Sequence, residues 1–517
     1  MGLSLSRPLL YAFIPILAFL SLRARKRKNS NPRGLPLPPG PTPLPLVGNL
    51  FQMPQELPWV VYAEWAQKYG DITYFEVLGQ PIAVLNNVKA ITQVLEKKAV
   101  NTSDRLWMPI FDLLKLDWSF PFMAYNPFWK LHRKDFHQHL GPIQVQIYRP
   151  IIEDQTLRYA RAMIANPQDF WEQARSWIGL TVMRVAYGID DAAYNENLIV
   201  KAQAVNQGFS EASIAGRYLV NYIPWLKYVP SWFPGAGWRR HLDAIGKMSE
   251  EVSVVPFRDA KERVGRGDLD EHTSVVRRLI EDLPSESDPS YLERATVARN
   301  VAAIGYIAGA DTSLSGAYAL VLALAMNPEA LKKAQAEMDA VIGSDRLPRA
   351  EDITRLPYVQ AVVKENSRWH SIGPLSLPHL SMSEDEYEGY HLPKGTMFLP
   401  NTWAVMHDPK RFDDPLAFKP ERYLKDGIIN KDVLDPDNFA NFGYGRRMCP
   451  GRFLAVEITR YFAMCMIMLF DITPRKDEHG NEIPLKLEVG SETICIPAPF
   501  EVDIRPRSAK HAALVNH

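Results

Sequence analysis

A chain of 517 residues, 46% hydrophobic and 23% charged, is long and apolar enough to bury a large core. Its 59 basic and 59 acidic residues cancel, so overall charge gives no reason to expect nucleic acid as a partner. Three cysteines without a C-x-x-C pair make neither a disulfide framework nor a zinc site, which suits a domain facing the cytosol.

Leu9–Leu22 is almost wholly apolar and is followed at once by Arg23, Arg25, Lys26, Arg27 and Lys28. A cleavable signal peptide carries its charge before the apolar run and small residues after it. Here the charge comes after, so residues 1–28 are expected to form a signal anchor with the rest of the chain held in the cytosol. The run reaches the ~20 residues of a full span only by including Arg7, which leaves an interfacial helix as the alternative. Residues 29–50 contain L-P-L-P-P-G-P-T-P-L-P-L, too dense in proline for helix or central strand. They read as a stiff hinge in front of one globular body, residues 51–517, which no internal repeat or long linker divides.

Leu57–Lys68 has helical apolar spacing, and Ile72–Leu78 with Ile82–Leu85 reads as a hairpin across Gly79-Gln80-Pro81. Asn101-Thr102-Ser103 matches a glycosylation sequon that a cytosolic domain leaves unused. In the helical stretch Tyr125–Phe136, Trp129 and Arg133 stand at i and i+4 on one face. From Ile151 to Arg278 the chain reads as mostly helical with few chemical signals. Within it, Tyr218–Phe233 is crowded with Tyr, Trp and Leu. Core packing and contact with a lipid surface are both open there, because Tyr and Trp suit the interfacial zone.

Tyr291–Ala325 is one long helix ending near Asn327-Pro328, with Ala308-Gly309-Ala310-Asp311-Thr312-Ser313 at its centre. Its small residues let a planar ligand approach the helix, and a Thr312 hydroxyl can bond back to the carbonyl at i−4. Tyr358–Trp369 is a further helix, with Glu365 and Arg368 at i and i+3. Then comes Asn441–Ala455, N-F-G-Y-G-R-R-M-C-P-G-R-F-L-A. Its glycines permit tight turns, and its arginines supply donors for carboxylates. A helix starting behind Cys449 aims N–H groups at the sulfur, which is expected to lower the thiol pKa. A thiolate in such an apolar, glycine-lined loop is what a haem iron ligand needs.

Phe442, Gly445, Arg447, Cys449 and Gly451 fit F-x-x-G-x-R-x-C-x-G, the haem-thiolate signature of cytochromes P450. With the anchor and proline hinge, W-x-x-x-R, A-G-A-D-T-S, and E-x-x-R followed by P-E-R-Y, the chain resembles a microsomal cytochrome P450. Several stretches are similar to fungal secondary-metabolism members, the O-methylsterigmatocystin oxidoreductase-like group among them. The resemblance implies a mainly α fold with small β-sheets, a single haem domain behind the anchor. It implies haem b with Cys449 as axial thiolate, propionates held by Trp129, Arg133, His379 and Arg447, and Phe442 packed near the sulfur. Asp311 and Thr312 would relay protons to bound O2, and Glu365, Arg368 and Arg422 would brace the haem loop. Pocket walls are expected at Phe111–Phe122, Phe209–Ile214, Ile304–Ala308, Ile372–Leu377 and Thr493–Ile496.

None of the G-x-G occurrences has the third glycine of a dinucleotide loop. Electrons are therefore expected from NADPH through a separate, membrane-bound NADPH–cytochrome P450 reductase. Lys130, Arg133, Lys134, Arg446 and Arg452 are candidates for its docking face. The implied activity is insertion of one oxygen atom from O2 into a lipophilic small molecule at the endoplasmic reticulum membrane, a terpenoid or aromatic polyketide of secondary metabolism. The alternatives are a haem-thiolate isomerase or dehydratase, and a non-enzymatic haem-binding protein.

Overall fold

The computed structural model describes residues 30–213, 217–268 and 273–516. The expected anchor lies outside them, as does Ile214 of the expected pocket wall. The body is mainly helical, with small sheets at its edge.

The principal helices are α1 (Pro58–Tyr69), α2 (Pro127–Leu140), α3 (Arg149–Ala165), α4 (Phe170–Tyr187), α5 (Ala192–Ser213), α6 (Gly237–Arg266), α7 (Tyr291–Met326), α8 (Pro328–Val341), α9 (Pro357–Trp369) and α10 (Arg452–Leu469). Local chemistry sets many of the boundaries. Proline opens α1, α2, α8 and α9 at a position where its missing N–H costs nothing. The Asn126 side chain accepts from the Trp129 N–H at 2.8 Å, so α2 begins at Pro127 instead of Tyr125. The first turn of α9 is capped from a neighbour: Tyr358 and Val359 N–H donate to the Glu337 carboxylate of α8 at 2.8 and 2.9 Å.

Helix α7 is the axis of the molecule. Leu320, Val321, Leu322, Ala323 and Leu324 are all fully buried. A helix apolar on every side has to be enclosed by other elements, and α2, α4, α6, α9 and α10 pack around this one. Among the described residues only α7 is long and apolar enough to cross a membrane, and it is the core of the fold. On its flank Trp177 of α4 stacks on Phe462 of α10, ring centroids 4.6 Å apart.

The largest sheet has strand order β1-β2-β4-β3, with β1 Ile72–Val77, β2 Gln80–Leu85, β3 His379–Leu380 and β4 Met397–Pro400. The hairpin β1–β2 is antiparallel as expected, Ile72 facing Leu85, and β4 lies parallel to β2. A second pair, β5 (Phe470–Pro474) and β6 (Val502–Pro506), continues from α10. The proline-rich stretch docks on β1: Tyr74 N–H donates to Pro39 O at 2.9 Å and Asn49 N–H to Glu76 O at 2.6 Å. A Cβ on Gly40 would fall 1.7 Å from Tyr74 O, so this contact demands glycine.

The segment from Tyr218 to Phe233 is split: Val220 joins the core and Tyr218 and Leu226 pack against it, while most of its large side chains face out. It forms short 3₁₀ turns with Trp225 65% and Trp232 78% exposed. The Asn101 side chain is bonded to Asp385, Ser383 and Met382 and serves as a structural tie.

Candidate functional site

The loop before α10 is fixed by its backbone. Cys449 N–H donates to Phe442 O at 2.7 Å. Gly445 has φ +56°, and a Cβ there would lie 2.4 Å from Leu95 O, so glycine is required. Its N–H donates to Glu96 Oε1 at 2.8 Å. The N–H groups of Gly451 and Arg452 point at the Cys449 sulfur, as expected of a helix start. The expected low thiol pKa is not found. Burial raises it above the ordinary value and outweighs the N–H bonds and the positive Arg133 and Arg452. A metal cation at the sulfur would reverse that balance, because a coordinating thiol is deprotonated outright.

Cys449 lines a cavity of about 360 Å³, and the centre of α7 forms part of the same wall. Gly305, Ala308, Gly309 and Thr312 line it. Ala308 is exposed although it lies in the middle of the core helix, and a Cβ on Gly305 would meet nothing within 4 Å. The Thr312 hydroxyl donates to Ala308 O at 2.7 Å, the expected back-bond. Asp311 is placed differently. It is buried and does not line the cavity. Its carboxylate accepts from the Asn206 amide of α5 at 2.6 Å, and burial raises its pKa. Phe122, Phe209, Ile304, Ile372, Leu377 and Thr493 also line the cavity, so every expected wall contributes. Phe111 stands one layer back, its ring 5.1 Å from Phe122.

One end of the cavity is crowded with cations. Trp129, Arg133, His379 and Arg447 meet there, joined by Arg105, which sequence reasoning missed. Arg447 Nε donates to Ser103 O at 2.6 Å and Nη2 to Met123 O at 2.8 Å, with its guanidinium 4.4 Å over the Trp129 ring. Arg105 donates to Pro121 O at 3.1 Å and Leu377 O at 2.8 Å, and Arg133 donates to Met448 O. His379 Nδ1 donates to Thr102 O at 2.8 Å, so a neutral ring presents Nε2 as an acceptor. Burial, then the Arg105 charge, holds His379 well below the ordinary histidine value. Burial also lowers Arg447 to about 10 and Arg105 well below its usual value.

This end fits a doubly negative, planar ligand. Trp129 Nε1 and Arg447 Nη1 are buried without a hydrogen-bond partner among the described residues. Buried donors are normally paired, and guanidiniums crowded together in a low dielectric want anions. Two carboxylates carried by a flat apolar ring, held in the cavity that Cys449 and the small residues of α7 both line, would meet both needs. His379 can donate to such a carboxylate only as the imidazolium.

Behind the loop, Glu365 and Arg368 are both fully buried. Arg368 Nε and Nη2 grip the two Glu365 oxygens at 2.7 and 2.8 Å. Arg422 Nε adds a bond at 3.1 Å and the Lys419 N–H one at 2.8 Å. Arg368 also holds the carbonyls of Met406, Pro415 and Ala417 at 2.9, 2.7 and 3.0 Å. This is the expected brace, and it ties α9 to the segments that lead into the cysteine loop.

The cytochrome P450 family model matches residues 38–500. The chain is a cytochrome P450. It is 47% identical to cytochrome P450 monooxygenase COX1 of Coprinopsis cinerea over 91% of each chain. It is 41% identical to COX2 of the same fungus over 90% of this chain and 88% of that one. It is 33% identical to monooxygenase ppsD of Aspergillus oryzae over 91% of this chain and 89% of that one. The P450 is thus a haem-thiolate monooxygenase, with a mainly helical fold that agrees with its family.

Proposed function

We propose that this P450 inserts one oxygen atom from O2 into a lipophilic small molecule of fungal secondary metabolism, terpenoid or aromatic polyketide, with Cys449 as the iron ligand. The observation that carries the reading is the convergence on one cavity of the Cys449 sulfur, two buried unpaired donors and a strip of small residues on α7. Haem bound there supplies O2 activation and oxygen insertion, chemistry that no side chain provides. The chain supplies grip, orientation and protons.

Trp129, Arg133 and Arg447 hold the propionates, with Arg105 beside them, and His379 joins them as the imidazolium. Phe442 lines the cavity next to the sulfur and keeps water from it. The Gly451 and Arg452 N–H groups draw charge off the sulfur and so temper its electron donation. Thr312 faces the cavity and passes protons through its hydroxyl, and Asp311 holds the proton behind it. The apolar wall of Phe122, Phe209, Ile304, Ile372 and Leu377 selects an oxygen-poor substrate and excludes water.

Electrons come from NADPH through a membrane-bound reductase that docks on the cysteine side, where Lys130, Lys134 and Arg446 are exposed. Arg133 and Arg452 are only partly exposed, so they act more on the sulfur than on a partner. The exposed Leu219, Trp225, Tyr228, Trp232 and Phe233 suit the interfacial zone of a bilayer, in keeping with an enzyme held at the endoplasmic reticulum membrane. Turnover with reductase, NADPH and isotopically labelled O2 tests the reading. One labelled oxygen per product is expected, and product formed without O2 consumption would replace it with isomerase or dehydratase chemistry.

A further inference from the structure

Residues 192–213 carry few chemical signals in the sequence, yet α5 supplies a polar partner of the buried acid at 2.6 Å. Asn206 Nδ2 donates to Asp311 Oδ2 at 2.6 Å, and the Gln203 side chain, one turn earlier on the same helix, adds to the stabilisation of the same carboxylate's charged form. Asn206 also approaches Ile307 O at 3.5 Å, one turn before Asp311. Asp311 itself is buried to 8% exposure and absent from the cavity wall. Asn206 is on that wall, between Val205 and Phe209. The acid therefore meets the substrate cavity through Asn206 on one side and its chain neighbour Thr312 on the other.

We propose that Asn206 is a positioning residue: from the cavity wall its amide holds the Asp311 carboxylate against α5, and so sets both where the carboxyl sits and how readily it takes up a proton. This rests on the reading of Asp311 and Thr312 as the proton relay. The physical logic is simple. A carboxylate buried in an apolar helix bundle favours its neutral form, and each amide N–H that it accepts favours the charged form. Besides Asn206 and Gln203 on α5, the groups that act on Asp311 are Arg175 of α4, which favours the charge, and Tyr306 and Tyr318 of α7, both held neutral by burial. Arg175 acts through its field, with no hydrogen bond to the carboxylate. Asn206 is the donor shared between acid and cavity, so substrate packed against it also bears on the acid.

Infrared titration of the carboxyl C=O stretch in the resting holoenzyme, assigned by its loss in Asp311→Asn, measures the acid directly. Asn206→Leu removes the donor and keeps the volume, and should raise the Asp311 midpoint by about one to two pH units. Asn206→Asp sets a second carboxyl against the first and should raise it at least as far. It also answers the question if the leucine variant does not fold. Asn206→Gln keeps an amide and should restore the wild-type midpoint. With NADPH–cytochrome P450 reductase under air, the pH profile of NADPH oxidation in Asn206→Leu should shift in the same direction, with a larger solvent deuterium isotope effect. A wild-type midpoint in both Asn206→Leu and Asn206→Asp overturns the proposal, and so does a change confined to thermal stability. If Asp311→Asn leaves the isotope effect unchanged, the relay itself fails. If it changes the isotope effect and Asn206→Leu does not, only the role of Asn206 fails.

Discussion

Replacing Trp129 with Phe isolates one of the two unpaired donors. Trp129 Nε1 is buried without a partner among the described residues, a state that costs about 1–3 kcal/mol. A haem propionate would accept from it, and a hydrogen bond to a charged acceptor contributes about 1.5–3 kcal/mol. Phenylalanine keeps an aromatic ring beside Phe120, whose centroid lies 6.1 Å away, and removes only the N–H and some area. Haem release should therefore accelerate about ten- to 150-fold. The haem-depleted protein should behave oppositely. It loses part of the contact with Arg447, 4.4 Å from the ring, worth about 0.5–1 kcal/mol. It also sheds a buried donor that had no acceptor, so its thermal midpoint should hold or rise. The assay is haem transfer to an excess of a scavenging globin, followed by absorbance, with thermal unfolding of both forms. Release at the wild-type rate would refute the reasoning, as would equal destabilisation of the two forms.

The other expectations are sharper in direction than in size. Glu365→Ala leaves Arg368 buried and without its carboxylate, and should cost about 3–5 kcal/mol, read as loss of haem-loaded protein and of thermal stability. Gly445→Ala should collapse haem loading because its Cβ meets Leu95 O at 2.4 Å. Gly443→Ala has φ +76° but open space around it and should cost only about 1–2 kcal/mol. Thr312→Ala should divert reducing equivalents from product to peroxide, measured as product per NADPH. His370 and His407 are buried, and burial lowers both from 6.5 to about 4. An unfolded chain takes up these protons first, so their contribution to stability is whole above pH 6.5 and drains away as pH falls toward 4. Urea unfolding between those limits should show the decline, and His370→Gln should flatten it.

Much of the site was legible in the sequence because it is written in short, local patterns. The cysteine loop, the Ala-Gly-rich centre of α7, Trp129 with Arg133, and Glu365 with Arg368 each sit within a few residues and keep their spacing whatever the rest of the chain does. What escaped depends on distant partners. Arg105 follows Asp104 in an irregular stretch, and only contacts with Pro121, Leu377 and Pro378 bring it to the cavity. Asn206 gains meaning only from α7 lying beside α5. The sign of the Cys449 shift was misjudged for a similar reason. The helix start and the arginines are visible in sequence, whereas the depth of burial that outweighs them is a property of the packed protein. The segment from Tyr218 to Phe233 was open between core and surface, because composition does not distinguish a packed aromatic from an exposed one.

The most direct measurement of the Cys449 assignment is the absorption spectrum of the reduced, CO-bound holoenzyme beside that of Cys449→His. The wild type should give the red-shifted Soret band of a thiolate-ligated haem, and the variant should give the band of an imidazole-ligated haem or lose haem. An imidazole-type band from intact wild-type protein, or a thiolate band that survives Cys449→His, would contradict Cys449 as the iron ligand.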